Sequence, residues 1–459
     1  MFRPRIFVFI LASVCLSSVI PGSTVFISSA TAQTPMPRVN FKERTLPNGL
    51  RFFSIEDHSS PNVAVHVWYH VGGKDDPEGR SGFAHLFEHL MFKSTRNMKS
   101  EMMDRLTEDV GGENNAFTAE DVTVYHETVP SNYLQTLIWA EADRLSSLVV
   151  DDANFKSERD VVEEEFRQSI LAPPYGKLEI LTEEKSWKKH PYGRSVIGRL
   201  ADLDAATLQD VQQFHANYYR PDNATLVIAG DFDDKQLDSW VDKYFGRIPK
   251  PNSPLPRVNV KEPARTHASR YVEYNANVPL PAVVFTYLIP PASDIDSYAL
   301  RIAETILSGG TSSRLYQSLI YQQQIAQEAT SNAELREDGG LFNFRVVLAS
   351  DKKPEDGEKA LLAEITRLQN EKVTAAELTK AKNQVVTDQM RNLETSNGKA
   401  LALGNAAVLL GDPNRINTDI DGLGKVTSAD VQRVVQKYLT DSNRVVLYYL
   451  PDSMKPPAK

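Results

Sequence analysis

The chain has 459 residues, 41% hydrophobic and 24% charged, an ordinary globular balance with enough apolar material for more than one core. Its formal net charge of -9 argues against a general nucleic-acid binder, which needs a basic face. The one cysteine, Cys15, lies near the N-terminus, so disulfides and thiolate metal sites are excluded from the rest of the chain. Any metal must be held by histidines and carboxylates.

In chain order, Arg3 and Arg5 precede an almost wholly apolar run over residues 6–20, and Ser29-Ala30-Thr31-Ala32 offers a small-residue cleavage site. This pattern predicts a signal peptide over residues 1–32 and an exported chain, periplasmic in a bacterium. The apolar run of about 15 residues falls short of the roughly 20 that a membrane span needs, so no stable membrane insertion is expected once the signal is removed. Asn48-Gly49 between apolar runs predicts a hairpin. Residues 63–71 read as a strand, and residues 83–92, 133–148 and 153–170 as helices with apolar positions three and four apart. Residues 224–229 read as a buried strand. Four prolines within residues 248–256 then predict a semi-rigid linker.

After the linker the pattern starts again. Thr207, Asp210, Val211, Gln212, Tyr218 and Asn223 match Thr427, Asp430, Val431, Gln432, Tyr438 and Asn443, each pair 220 positions apart. Pro61-Asn-Val-Ala-Val65 resembles Pro279-Leu-Pro-Ala-Val283 at an offset of 218. So steady an offset predicts two homologous domains, over 33–248 and 267–459, joined by a linker over 249–266. Each mixes helices and strands without regular alternation, which predicts an α+β class.

The chemistry concentrates in His85-Leu-Phe-Glu88-His89. On a helix the two histidines stand one turn apart on one face, where two neutral imidazoles can grip one zinc ion. Glu88, beside both, is placed to take a proton from water polarised by the ion. Phe83, Leu86, Phe87, Leu90 and Phe92 make the rest of the helix apolar, and three ionisable groups on a buried helix are costly unless paired or metallated. A catalytic zinc needs a third protein ligand. The helix over 153–170 offers Glu158, Glu163, Glu164 and Glu165, of which Glu158 and Glu165 share a face; periodicity alone leaves that choice open.

His85-Leu-Phe-Glu88-His89 is the inverted His-x-x-Glu-His zinc motif. With its surroundings, Gly82 to Thr95, it resembles the insulinase/pitrilysin family of inverzincins, especially the processing-peptidase branch. In that family a distal glutamate ligand follows the second histidine by about 76 positions in a Glu-Arg-x-x-Val-x-x-Glu run. Glu158-Arg-Asp-Val-Val-Glu-Glu-Glu165 fits, and Glu165 lies 76 positions beyond His89. The resemblance therefore implies one Zn2+ per chain held by His85, His89 and Glu165, with Glu158 orienting a ligand. It implies two homologous α/β-sandwich domains enclosing a substrate chamber, and hydrolysis of unfolded peptides with Glu88 as the catalytic base. Gly111 to Thr118 is similar to the family's substrate-pairing edge strand, which assigns Asn115 and Ala116 to peptide binding.

The second half departs from the pattern. Aligning the repeats puts Glu304, Leu307 and Ser308 at the positions of His85, Glu88 and His89. Active relatives usually carry in this half an Arg and, seven residues on, a Tyr that contact substrate; here those positions fall at Ile320 and Gln327, and Arg314 lies in the preceding helical stretch. The resemblance then implies a zinc-bearing subunit whose homologous, zinc-free partner supplies the Arg and Tyr, a homodimer being the other arrangement. A non-catalytic peptide-binding or scaffold subunit is the competing reading; it gives Glu88 no task. Zinc storage is a third, and nothing in the chain resembles a His-rich loading loop.

Overall fold

A computed structural model describes residues 38–457; the predicted signal segment lies outside the described residues. β1 (Lys42–Thr45) turns through Asn48-Gly49 into β2 (Arg51–Glu56) as an antiparallel hairpin. Gly49 takes the left-handed φ of 91° that this turn requires, and Asn48 Nδ2 donates to the carbonyls of Phe245 and Ile248. β3 (Asn62–Tyr69), β4 (Glu113–Thr118), β5 (Thr123–Pro130) and β6 (Ala224–Gly230) complete a six-stranded sheet in the order β1-β2-β6-β3-β5-β4. Only the β2–β6 pair is parallel. One face buries the apolar sides of α1 (Phe83–Leu90), α2 (Met102–Glu108), α3 (Leu134–Ser147) and α4 (Asp152–Phe166). After α5 (Gly176–Ser186), it is completed by α6 (Leu200–Asp204), α7 (Leu208–Tyr218) and α8 (Asp234–Tyr244).

The second half repeats this plan. β7 (Ser269–Asn275), β8 (Ala282–Ile289), β9 (Ala326–Glu334), β10 (Gly340–Leu348) and β11 (Arg444–Pro451) form a sheet in the order β7-β11-β8-β10-β9, again with one parallel pair, β7–β11. Its helices are α9 (Asp296–Ser308), α10 (Pro354–Asn370), α11 (Ala375–Asn392), α12 (Ser396–Val408), α13 (Arg415–Lys425) and α14 (Ser428–Tyr438). The residues that match 220 positions apart do the same work in both halves. Thr207–Asp210 and Thr427–Asp430 each close a capping box at the start of α7 and α14. Asn223 Nδ2 donates to the Tyr218 and His70 carbonyls, and Asn443 Nδ2 to those of Tyr438 and Leu288. The α+β class and the duplication stand.

The halves exchange cover. The outer face of the first sheet, with Phe53, Ala64, Trp68, Val124 and Val227, is sealed by Ala400, Leu403 and Ala407 of α12, from the second half. The second sheet, through Ala282, Val284 and Leu447, is sealed by Leu178 of α5, from the first. A Cβ on Gly404 would lie 2.1 Å from Trp68 Cε2, so α12 seats its backbone directly on that ring. Gly404→Leu is therefore expected to pry α12 off the first sheet and cost about 1–3 kcal/mol, read as a lowered thermal midpoint.

The proline-rich stretch is no free tether. Arg265 is buried and donates to the carbonyls of Ser186, Thr286 and Asn443, touching both halves. Glu262 accepts from the backbone N–H of Lys188, Lys189 and His190, and Arg257 donates to the His70 carbonyl and Asn223 Oδ1. The predicted helices begin and end within two residues of their observed bounds, except that the third stops at Phe166 and continues as a wider π turn, Arg167–Leu171.

Candidate metal centre

Helix α1 owes its placement to residues outside it. Gly82 precedes it at φ 95°, with the Ile197 carbonyl 2.8 Å from where a Cβ would stand, so only glycine fits. Having no side chain, Gly82 cannot cap the helix. Asp76 does so from six residues upstream: its buried carboxylate accepts from Gly82 N at 2.6 Å and Ala84 N at 2.9 Å. Burial pushes the Asp76 carboxyl up to about 7, against those two hydrogen bonds. Tyr125 Oη donates to the Phe87 carbonyl and fixes the helix to β5. With Phe83, Leu86, Phe87 and Leu90 buried, His85, Glu88 and His89 are left on the half-buried face. Under this floor lies a fully buried ion triad, in which Arg144 pairs with Glu127 and Glu141 and lies over the Tyr125 ring.

Helix α4 is capped by Asp151, buries Phe155, Val162 and Phe166, and brings Glu165 to the two histidines. Glu165 Oε2 lies 3.1 Å from His85 Nε2 and 3.2 Å from His89 Nε2. His85 Nδ1 is 3.2 Å from Glu88 Oε2, which also accepts from Thr118 Oγ1 at 2.7 Å. Glu158 is buried, with Oε2 3.9 Å from His89 Nδ1, beyond hydrogen-bond reach; its other oxygen accepts from Lys93 Nζ at 2.8 Å and Ser157 Oγ at 3.0 Å. Glu163 and Glu164 turn away to Arg167. So the four residues expected at the centre, His85, Glu88, His89 and Glu165, meet. Glu158 stands just behind His89, anchored by Lys93. Asn115 and Ala116 lie on β4, the edge strand of the sheet, where Asn115 Oδ1 accepts the Ala116 N–H at 2.8 Å. Sequence reasoning gave no role to Thr118, Lys93 or Asp76. Thr118 and Lys93 lie inside quoted motifs, so their signal was present.

The electrostatics follow from this crowding. Burial disfavours a charged His85, but the hydrogen bonds to Glu165 and Glu88 outweigh it and raise its pKa to about 9. Those from His85 and His89 hold Glu165 far below the usual carboxylate range. Burial works to raise Glu88, yet His85 and Thr118 prevail and lower it. The donor set fits a zinc ion. Zinc ligand bonds of about 2.1 Å in tetrahedral geometry put donor atoms about 3.4 Å apart. Both histidine nitrogens meet the Glu165 oxygen near that spacing, and one atom from each of the three residues lies within 4.8 Å of the other two.

A second acidic cluster, Asp121, Glu337 and Asp338, lies where the halves meet. Its centre is taken by the buried ammonium of Lys74, at 2.8, 2.6 and 3.0 Å from the three carboxylates. A cavity of about 470 Å³ also lies between the halves, with Glu120, Glu183, Arg194, Glu334 and Arg336 among its walls; none of the four centre residues lines it. In the second half, Glu304 and Ser308 lie on α9, which follows β8 in the chain as α1 follows β3, and they meet β9 at Ala333 and Ser331 much as Glu88 meets β4 at Thr118. Ile320 packs against the second core, Gln327 is exposed on β9, and Arg314 is committed to Glu377 at 2.8 Å.

Residues 51–199 match the family model described as Insulinase (Peptidase family M16), and residues 205–385 match the one described as Peptidase M16 inactive domain. The chain belongs to the insulinase family. It is 30% identical over 433 residues to a protein of Helicobacter pylori named zinc protease PqqE, covering 92% of this chain and 95% of that one. A crystal structure of a protease from Helicobacter pylori superposes with a TM-score of 0.87 at 29% identity, covering 91% of this chain and all of that one. The probable beta subunit of the mitochondrial-processing peptidase of Arabidopsis thaliana is 25% identical over 333 residues, 71% of this chain and 62% of that one. Within the insulinase family the first half thus carries the peptidase match and the second the inactive-domain match, in line with the loss of both histidine positions at Glu304 and Ser308.

Proposed function

We propose that the chain is a zinc-dependent endopeptidase acting on unfolded peptides, with one Zn2+ held by His85, His89 and Glu165. The observation that carries this is the convergence of those three donors beside Glu88, whose carboxylate is tied to the edge strand through Thr118. Zinc bound there would polarise a scissile carbonyl and make water beside it more acidic. The chain's own groups do the rest. Glu88 stands beside His85 to take a proton from water and pass it to the departing amine. Thr118 fixes the carboxylate oxygen, and Glu158, anchored by Lys93, backs His89. The free side of β4 offers its backbone to an extended peptide, which reads main chain and tolerates varied sequence. Docking at Ala116 requires Asn115 to release the N–H it now holds. An intact acid–base group beside the donors speaks against a purely peptide-binding subunit. Treatment with a chelator, and separately Glu165→Ala, should each remove bound metal and abolish cleavage of a peptide library, measured by metal analysis and product mass; cleavage that survives metal removal sinks the proposal.

The proposal extends to organisation. Residues 1–32 act as an export signal that delivers the chain to the periplasm, the two homologous domains are 33–248 and 267–459 around the strap at 249–266, and the chain is the metal-bearing member of a pair. The support is that Ile320 and Gln327 supply no guanidinium or phenol, while Arg314 is held by Glu377. A homologous zinc-free partner contributing an Arg and a Tyr completes the substrate grip; a second copy of this chain would bring the same Ile320 and Gln327. Purified alone, the chain should cleave peptides at least about tenfold more slowly than with that partner, as the loss of one charge-assisted contact predicts. Equal rates would overturn the pairing. Among the described residues no helix is long and apolar enough to cross a membrane.

A further inference from the structure

The half without the histidines has a cleft of its own that starts at the corresponding place, between α9 and α11, and widens towards α12 and α13. It has two lobes, of about 450 and 290 Å³, and Arg301, Gln389 and Asn392 line both, forming a waist between them. Together they fall in the size range of small-ligand sites. The small lobe is polar, with Glu304 and Asp388 in its wall. The large lobe has an apolar floor that includes Leu335, Leu393, Ala402 and Ile416.

Most charges around the large lobe are already matched. Arg415 pairs with Asp419 at 2.7 Å, and Arg336 with Glu183 and Glu334, both at 2.7 Å. Glu337 is held by His70 and Lys74. Arg301 differs: half-buried at the waist, its guanidinium has no hydrogen bond or ion pair among the described residues. Gln389 Oε1 beside it is buried and has no hydrogen-bond partner. One turn along α9, Glu304 receives only the Ala333 N–H, at a long 3.3 Å. Burial raises its carboxyl, against the Ala333 N–H and the charge of Arg301 nearby, so an incoming cation would relieve a charge that these two only partly offset. An unpaired cation and a half-satisfied carboxylate one helical turn apart, beside an apolar floor, are the complement of an α-amino acid: carboxylate to Arg301, ammonium to Glu304 and Asp388, side chain on Leu335 and Leu393.

We propose that this α9–α11 cleft binds a free α-amino acid with an apolar side chain. Such molecules are end products of peptide breakdown. The site itself is argued from the cleft alone and does not depend on the chain being a peptidase.

Isothermal titration calorimetry of the full chain tests it, with leucine as the probe. One leucine per chain is expected to bind. Glycine lacks the side chain, N-acetylleucine the ammonium and leucinamide the carboxylate; each should bind at least about tenfold more weakly, as the loss of one charged or apolar contact predicts. Arg301→Met and Ala402→Trp, which removes the cation in one case and fills the floor in the other, should each weaken leucine to the same degree. His85→Ala, which dismantles the metal centre, should leave leucine binding intact. The proposal is overturned if leucine does not bind, if binding is lost in His85→Ala, or if either cleft variant folds and binds it as the parent does. Because two independent variants probe the cleft, failure of one to fold leaves the other decisive.

Discussion

Replacing Glu88 by glutamine is expected to lower kcat for peptide cleavage by about 10²–10⁴-fold, the usual contribution of a positioned acid–base group, with zinc content unchanged. The substitution is nearly isosteric. Thr118 Oγ1 can still donate to the side-chain oxygen, and the three donors His85, His89 and Glu165 are untouched. What disappears is the ability to accept a proton from water and return it to the amine. The signature is specific: kcat falls, metal analysis still finds about one zinc per chain, and peptide affinity is retained because the β4 edge is intact. A variant that turns over peptide near the parent rate with its metal in place would take Glu88 out of the chemistry. A variant that loses zinc would instead make Glu88 part of the metal's hold, through its contact with His85 Nδ1.

The centre was legible in the sequence to the extent that its chemistry is local. His85, Glu88 and His89 occupy one turn of helix, and helical spacing alone puts them together. Glu165 sits on another helix, and periodicity could not separate it from Glu158; family resemblance singled it out, and the fold brings it to 3.1 and 3.2 Å from the histidines. The duplication was legible because it is written in capping and turn residues, Thr207 with Asp210 and Thr427 with Asp430, whose identity is set by backbone hydrogen bonds rather than by packing. The exchange of α5 and α12 was not. Apolar spacing shows that Ala400, Leu403 and Ala407 share a face; it carries no mark that this face meets Trp68, more than three hundred residues earlier. The Asp76 cap was hidden for a related reason. A cap is sought in the residue before a helix, and there the chain needs Gly82 for its φ. Proline content predicts the strap's stiffness but not its anchoring, which depends on Arg257, Glu262 and Arg265 finding backbone partners in both halves.

Lys74 shows the same limit at higher stakes, and Lys74→Ser is expected to destabilise the chain by about 3–5 kcal/mol, the usual cost of stranding one side of a buried ion cluster. In sequence it is one lysine beside two aspartates and reads as solvated surface. In the fold it is buried, and its ammonium joins Asp121 of the first half to Glu337 and Asp338 of the second. Burial works to lower its pKa, yet Asp121 and Glu337 outweigh that and raise it, so the cluster stays charged and paired across the neutral range. Serine in its place leaves three carboxylates facing one another with only partial relief: Tyr192 Oη and the Glu337 N–H serve Asp121, His70 serves Glu337, and His190 Nε2 stands 3.5 Å from Asp338. The unfolding midpoint should fall by several degrees. One oxygen from each of the three carboxylates lies within 4.8 Å of the other two, a set of hard ligands that suits a divalent cation once the ammonium is gone. Calcium should therefore raise the midpoint of Lys74→Ser and leave that of the parent unchanged, since a ligand that binds only the folded variant stabilises by mass action. Full stability without calcium would mean that the exchanged helices α5 and α12, the strap and the Arg336–Glu183 pair hold the halves without help from Lys74. Loss of stability with no response to calcium would mean that the carboxylates spread apart once the lysine leaves, so that the ammonium also sets their spacing.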